Sequence, residues 1–174
     1  MSNILVRCEK STQSILGESP VWNYQNNTLY FLDIKGGKLY ELNKDTLISR
    51  NIPKNTGSLA CTKRNQILLS TKNGLKFLNP QTGGLRNFFN NAKPLNFCRF
   101  NDGKCSTQGS FWVSSMDNCE RKNIGKLYQF SNKFRPMIYD MKLGIGNGIG
   151  WSPDKTRMYI TDSKKKRIYL FKFN

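Results

Sequence analysis

The 174-residue chain contains no histidine. That removes the usual general base for a serine or cysteine nucleophile, and it removes the commonest transition-metal ligand. Any metal here has to be held by oxygen, from carboxylates, amide carbonyls and water, which points to hard ions such as calcium, magnesium or manganese. Long apolar runs are also missing: nothing approaches the roughly 18 residues a membrane span needs, and residues 1–10 are polar and charged rather than leader-like. The expectation is a soluble, cytoplasmic protein with no membrane partner. Cysteine is sparse and odd in number (Cys8, Cys61, Cys98, Cys105 and Cys119), without a C-x-x-C pair. Neither a disulfide framework nor a zinc cluster follows, and a reducing compartment suits such thiols.

Acidic residues are few. Eleven Asp and Glu stand against 28 Lys and Arg, for a net charge of +17, which has to be tested against nucleic-acid binding. The test is concentration of charge, and the basic residues are scattered along the chain. Lys164, Lys165, Lys166 and Arg167 form the one dense run. A solvated turn between strands accounts for it, since such turns are normally polar, with phosphate or RNA contact as the competing reading. Nucleic acid is therefore not expected as a partner. With 37% hydrophobic and 12% aromatic residues, the length fits one domain over residues 1–174 with a sizeable core.

What the chain does have is repetition. Short runs of Val, Ile, Leu, Tyr, Phe and Trp alternate with Gly, Asn, Asp, Ser and Pro clusters, the pattern of strands and hairpins, with no long helical period. Trp22 to Tyr40 lies on Trp151 to Tyr169 without a gap, at an offset of 129 residues. In both copies Trp is followed by Tyr (Tyr30, Tyr159), Asp (Asp33, Asp162), Lys (Lys35, Lys164) and Tyr (Tyr40, Tyr169) at the same spacings. Two weaker copies run from Leu59 to Leu78 and from Gly103 to Phe130, each read as strand, turn, strand, turn, strand. With Cys61 and Cys105 as counterparts of the tryptophans, the units start 39, 44 and 46 residues apart. All-strand repeats of about 40 to 50 residues are the signature of propeller blades. The expected fold is all-β, a β-propeller of about four blades, with a β-sandwich of hairpins as the competing architecture. Each small sheet is expected to be apolar on both faces because neighbouring blades sandwich it.

Propeller ligands gather where the innermost strands converge on the axis. Four positions before each Trp or its counterpart stand Glu18, Gly57, Asn101 and Asn147, and this places them just ahead of each first strand. Three of the four carry side-chain oxygen, which is hard-cation chemistry if the repeats share an axis. Asn101-Asp102-Gly103 and Asn147-Gly148 also read as turn residues that tolerate a left-handed backbone. Glu18, within Leu16-Gly17-Glu18-Ser19-Pro20-Val21-Trp22, has no such turn-forming reason.

These motifs, LGESPVW (16–22), RFNDGK (99–104) and GNGIGWSPD (146–154), together resemble the senescence-marker protein, gluconolactonase and regucalcin family, from about Leu16 to the end. The resemblance implies a six-bladed propeller of which about four blades are present. It implies one divalent cation, calcium first, with manganese, magnesium or zinc as alternatives, held by Glu18 and Asn147. It implies substrate contacts from Arg99 and Asn101, with Glu120 an approximate counterpart of an acidic loop residue. The implied activity is metal-assisted hydrolysis of a small sugar lactone, in which a carboxylate activates water. The family's third ligand, an aspartate in a later blade that also serves as base, has no counterpart here, and Asp102, Asp154 and Asp162 belong to other motif positions. Impaired catalysis and self-association through exposed end sheets are therefore expected. The alternative function is a noncatalytic binding module acting through its basic surface. Propellers resembling strictosidine synthases or arylesterases would change the substrate and keep the axial site.

Overall fold

The computed structural model describes residues 4–90, 97–131 and 135–173. Every element among them is a strand. The first sheet holds β1 (Gly17–Asn23), β2 (Thr28–Asp33), β3 (Lys38–Asn43) and β4 (Thr46–Asn51), paired antiparallel in chain order. The second follows the same order with β5 (Ser58–Cys61), β6 (Ile67–Thr71), β7 (Gly74–Leu78) and β8 (Leu85–Asn90). The third has β9 (Cys98–Cys105), β10 (Phe111–Asp117), β11 (Gly125–Phe130) and β12 (Met137–Leu143), and the last has β13 (Gly146–Trp151), β14 (Arg157–Asp162) and β15 (Arg167–Lys172). Inner strands touch in sequence, β1 on β5, β5 on β9 and β9 on β13. Four sheets thus succeed one another about a common axis, as four propeller blades. No helix occurs among the described residues that could cross a membrane.

The four inner strands carry Trp22, Cys61, Cys105 and Trp151, the residues that mark the repeat. Two details differ from the sequence reading. The first three blades have four strands, not three, because the outer strands β4, β8 and β12 are short and mostly exposed and look like loop in the sequence. Glu18, Asn101 and Asn147 lie within their strands rather than ahead of them.

The core lies between blades. Tyr30, Leu32 and Leu39 of blade one meet Leu59, Ile67 and Leu69 of blade two. Ala60, Leu68 and Leu75 of blade two meet Phe100, Phe111 and Val113 of blade three. Leu127 and Leu143 of blade three meet Ile149, Met158 and Ile160 of blade four. Strand β6 shows why: side chains alternate across a strand, so Ile67 and Leu69 face one neighbour while Leu68 faces the other. Each such side chain contributes about 1.5–3 kcal/mol on full burial. Blades two and three are sandwiched as expected. The end blade is covered on one face only, since Ile168 and Leu170 of β15 are 70% and 59% exposed.

Candidate functional site

Three β-bulges build the site. In β1 the pairing with β2 slips between Glu18 and Val21, in β9 the pairing with β10 slips opposite Ser114, and in β13 the pairing with β14 slips between Asn147 and Gly150. A bulge inserts one extra residue and re-aims the side chains beside it. The backbone turns left-handed at Ser19 (φ 54°) and Gly148 (φ 58°), so glycine is favoured at the second position and serine is tolerated at the first. Asn147 does not itself take the left-handed backbone, which answers the turn reading of Asn147-Gly148: the glycine makes the bend.

Two of the bulges are tied to the next blade. Ser19 Oγ accepts the Leu59 amide at 3.0 Å, and Asp102 Oδ2 accepts the Ile149 amide at 3.4 Å. The inner strand of blade two has neither bulge nor side-chain oxygen at the equivalent position, Gly57. A Cβ on Gly57 would lie 2.3 Å from the Phe100 carbonyl oxygen and 2.7 Å from that of Asn101. Gly57 is thus where the backbone of blade three passes, and its bare Cα lets Asn101 sit where it does.

A hydrogen-bonded chain joins blades three and four. Arg99 Nη1 donates to Asn101 Oδ1 at 2.7 Å and to the Phe100 carbonyl at 3.1 Å. Asn101 Nδ2 donates to Asn147 Oδ1 and to the Gly146 carbonyl, both at 2.9 Å. Asn147 Nδ2 then donates to Ser163 Oγ at 2.9 Å, and Ser114 Oγ donates to the Gly146 carbonyl at 2.8 Å. Arg99 and Asn101 are buried. Burial pulls the Arg99 guanidinium below its ordinary value, against the opposing charges of Glu120 and Glu18. Both glutamates therefore lie close enough to Arg99 to act on it, although neither forms an ion pair with it. The Nε and Nη2 protons of Arg99 have no partner among the described residues. These donors are open to solvent, and their planar fork suits an oxygen-rich ligand.

Glu18 and Asn147 line one cleft of about 320 Å³ together with Asp102 and Lys104. Among the described residues the Glu18 carboxylate has no hydrogen-bonding or ion-pair partner. Asn147 Oδ1 accepts one hydrogen bond and keeps a second lone pair. These donors fit a hard cation. No three His, Cys, Asp or Glu side chains converge among the described residues, so the amide oxygens and water would complete its shell. A larger cleft, about 570 Å³, opens farther along the same inner strands between Trp22, Cys61 and Cys105. Burial pushes the Cys61 thiol up to about 11, so it stays protonated and unreactive at neutral pH. All five cysteines are free.

The repeat aspartates have a different task. Asp33 accepts the amides of Ile15, Leu16 and Gly36, and Asp162 those of Gly144, Ile145 and Lys165. Asp117 does the same for Cys119, Arg121 and Lys122. Each shapes the connections beside the site rather than facing it. Glu120 lies on the 118–124 connection, exposed, and Lys164 Nζ donates to its carbonyl and to that of Arg121, both at 2.7 Å. Lys164, Lys165 and Lys166 of the basic run lie in the turn between β14 and β15, and Arg167 opens β15.

Residues 16–174 match the family described as the SMP-30/Gluconolactonase/LRE-like region. The chain belongs to this family. An uncharacterised protein of Sulfolobus acidocaldarius is 35% identical over 162 residues, covering 91% of this chain and 57% of its own. The 6-deoxy-6-sulfogluconolactonase of Pseudomonas putida is 25% identical over 171 residues, covering 97% and 59%. The crystal structure of the calcium-binding protein regucalcin from Agrobacterium tumefaciens superposes with a TM-score of 0.86 at 25% identity, over 95% of this chain and 57% of that one. The chain thus spans under two thirds of the length of these relatives.

Sequence reasoning missed Ser163, Ser114 and the bulge hooks Ser19 and Asp102. Ser163 follows the repeat aspartate, and a lone serine there carries no pattern. The bulges leave a trace only in Ser19-Pro20 and Gly148, residues that interrupt an otherwise regular strand.

Proposed function

We propose that this site binds one divalent cation through Glu18 and Asn147 and hydrolyses a small sugar lactone, as a gluconolactonase-like hydrolase. The cation, calcium or manganese by its oxygen donors, supplies Lewis-acid polarisation of the lactone carbonyl. Asn101 holds the Asn147 amide so that its oxygen is presented to the cleft. Arg99 offers its unmet N–H groups to the carbonyl or ring oxygens of the lactone, where negative charge develops during attack. Glu120, near Arg99, accepts from sugar hydroxyls. No residue of this chain is assigned as the base that activates water.

The observation that carries the reading is the gathering of Glu18, Asn101 and Asn147 by bulges in blades one, three and four, with the buried Arg99 beside them. Family membership and the sulfogluconolactonase and regucalcin relatives support it. The test is a thermal titration with calcium and manganese, run beside a lactone-hydrolysis assay. A divalent ion should raise the melting temperature of the wild-type chain, and Glu18→Gln should abolish that rise with the ion-free melting temperature unchanged. An ion-independent melting temperature would remove the metal centre from the account.

A further inference from the structure

Strand direction decides which loops surround the site. Glu18, Asn101 and Asn147 lie near the start of their inner strands. The second strand of each blade runs antiparallel and ends at the same level, as the pairs Gly17 with Asp33, Cys98 with Asp117 and Gly146 with Asp162 show. The connection from the second to the third strand of every blade therefore opens on the site end. All four of these connections carry an exposed lysine: Lys35 in blade one, Lys72 in blade two, Lys122 in blade three and Lys166 in blade four.

Two glutamates, Glu18 and Glu120, stand at this end as well, but neither is ion-paired to one of these lysines. The aspartates at this end, Asp33, Asp117 and Asp162, are turned onto backbone amides. Asp162 approaches Lys165 at 3.8 Å, while Lys35, Lys72, Lys122 and Lys166 make no ion pair among the described residues. The inner strand of blade two lacks the bulge and the axial oxygen ligand, and its second strand lacks the aspartate, yet the connection that follows carries a lysine too. Lys166 holds a left-handed backbone (φ 54°) where its repeat counterpart is Gly37 (φ 67°). A residue less suited to the turn stands there, and a cation comes with it.

We propose that the ligand of this site is anionic: a sugar lactone, or the acid formed from it, bearing a phosphate, sulfonate or second carboxylate group that the lysine collar draws in and holds. The inference rests on the functional reading above and adds the charge of the ligand to it. Like charges around one opening repel each other, and an anion seated among them relieves that repulsion while the cleft walls focus the field. A neutral lactone gains nothing from these lysines. The cleft of about 320 Å³ that Glu18, Asp102, Lys104 and Asn147 line is a compact one, not the extended track a polynucleotide requires.

The test is titration calorimetry on the intact chain in the presence of manganese, with 6-phosphogluconate and gluconate as the probes. At about 20 mM salt the phosphorylated acid should bind about tenfold more tightly, equivalent to about 1.4 kcal/mol. At about 0.5 M salt, where the screening length falls to a few ångströms, the preference should shrink to about threefold or less. The combined variant Lys35→Gln, Lys72→Gln, Lys122→Gln and Lys166→Gln should lose the preference at low salt. All four side chains are exposed, so its melting temperature should stay within about 2 °C of wild type.

Equal affinity for the two acids, or a preference that survives in the combined variant, overturns the inference. Lysine-dependent binding of a 20-nucleotide RNA with no binding of the phosphorylated acid overturns it in favour of a polyanion surface. Because binding is read without turnover, the two readings separate. Hydrolysis of neutral lactone without a phosphate preference sinks the collar alone, and a lysine-dependent phosphate preference in a chain that hydrolyses nothing sinks the lactonase reading alone.

Discussion

Replacing Gly57 by alanine tests whether blade two is bare at the axis because blade three needs the space. The added Cβ would sit 2.3 Å from the Phe100 carbonyl oxygen, 2.7 Å from the Asn101 oxygen and 2.8 Å from Asn101 Cα. These are backbone atoms of β9, pinned by pairing to β10, and the Phe100 carbonyl must retreat by about 0.7 Å to relieve even the worst contact, a degree of overpacking that costs about 1–3 kcal/mol. At about 2–4 °C per kcal/mol for a chain this size, the upper end corresponds to a loss of about 6–12 °C in melting temperature. The displacement falls on the residue whose Nδ2 reaches Asn147 at 2.9 Å, so any cation-induced stabilisation should weaken too. Differential scanning calorimetry with and without manganese measures both. Gly150→Ala is the control: beyond its own atoms and chain neighbours nothing lies within 4 Å of its Cβ position, and at such a site the exchange stabilises by about 0.4–1 kcal/mol. If the two variants melt together, close to wild type, the steric account of Gly57 is wrong.

Ser163→Ala removes the acceptor for Asn147 Nδ2 and should weaken manganese affinity by about three- to tenfold, the worth of one hydrogen bond, with Ser163→Thr restoring it; an unchanged affinity in the alanine variant would show that Ser163 does not orient the ligand. Stability should also fall with acid. For Asp33 and Asp162 burial raises the carboxyl, but the amides of the site-end turns outweigh it and hold both below the ordinary value. Their folded values lie below their unfolded ones, so their contribution is complete above about pH 5 and is lost as pH falls through the folded values. Urea midpoints at pH 7, 5, 4 and 3 should decline mainly over the last two steps, and Asp33→Asn should flatten that decline.

Much of the blade arrangement could be read from the chain because the copy from Trp22 to Tyr40 recurs at Trp151 to Tyr169 without a gap, and a contiguous apolar run such as Ile67-Leu68-Leu69 in a strand needs cover on both faces. Outer strands could not. In β4, Leu47 and Arg50 are half-buried between exposed neighbours, a pattern polar enough to pass for loop. At the site, spacing brought Glu18, Asn101 and Asn147 to equivalent positions, since the repeat itself aligns them. Their entry into the strands was hidden, because a bulge depends on pairing with β2, β10 and β14 and not on local composition. Asp33 and Asp162 were visible as a repeated pair, but amide capping depends on where Ile15, Leu16, Gly144 and Ile145 return in space. Gly57 could be seen as a gap in the ligand series; that the gap is filled by the backbone of another blade was beyond any local signal.

The bonds from Ser19 to Leu59 and from Asp102 to Ile149 run in one sense around the axis, a hook on one blade and an eye on the next. At the junction between them, Ser58 turns its hydroxyl to Ser70 at 2.7 Å instead. Hook and eye belong to the same inner strand, at adjacent positions in the repeat frame, so a segment copied whole brings both halves of the coupling with it. A propeller of this kind can gain a blade by duplication without inventing a new interface. It can also be cut and rejoined at a turn facing away from the site, with every coupling left in register.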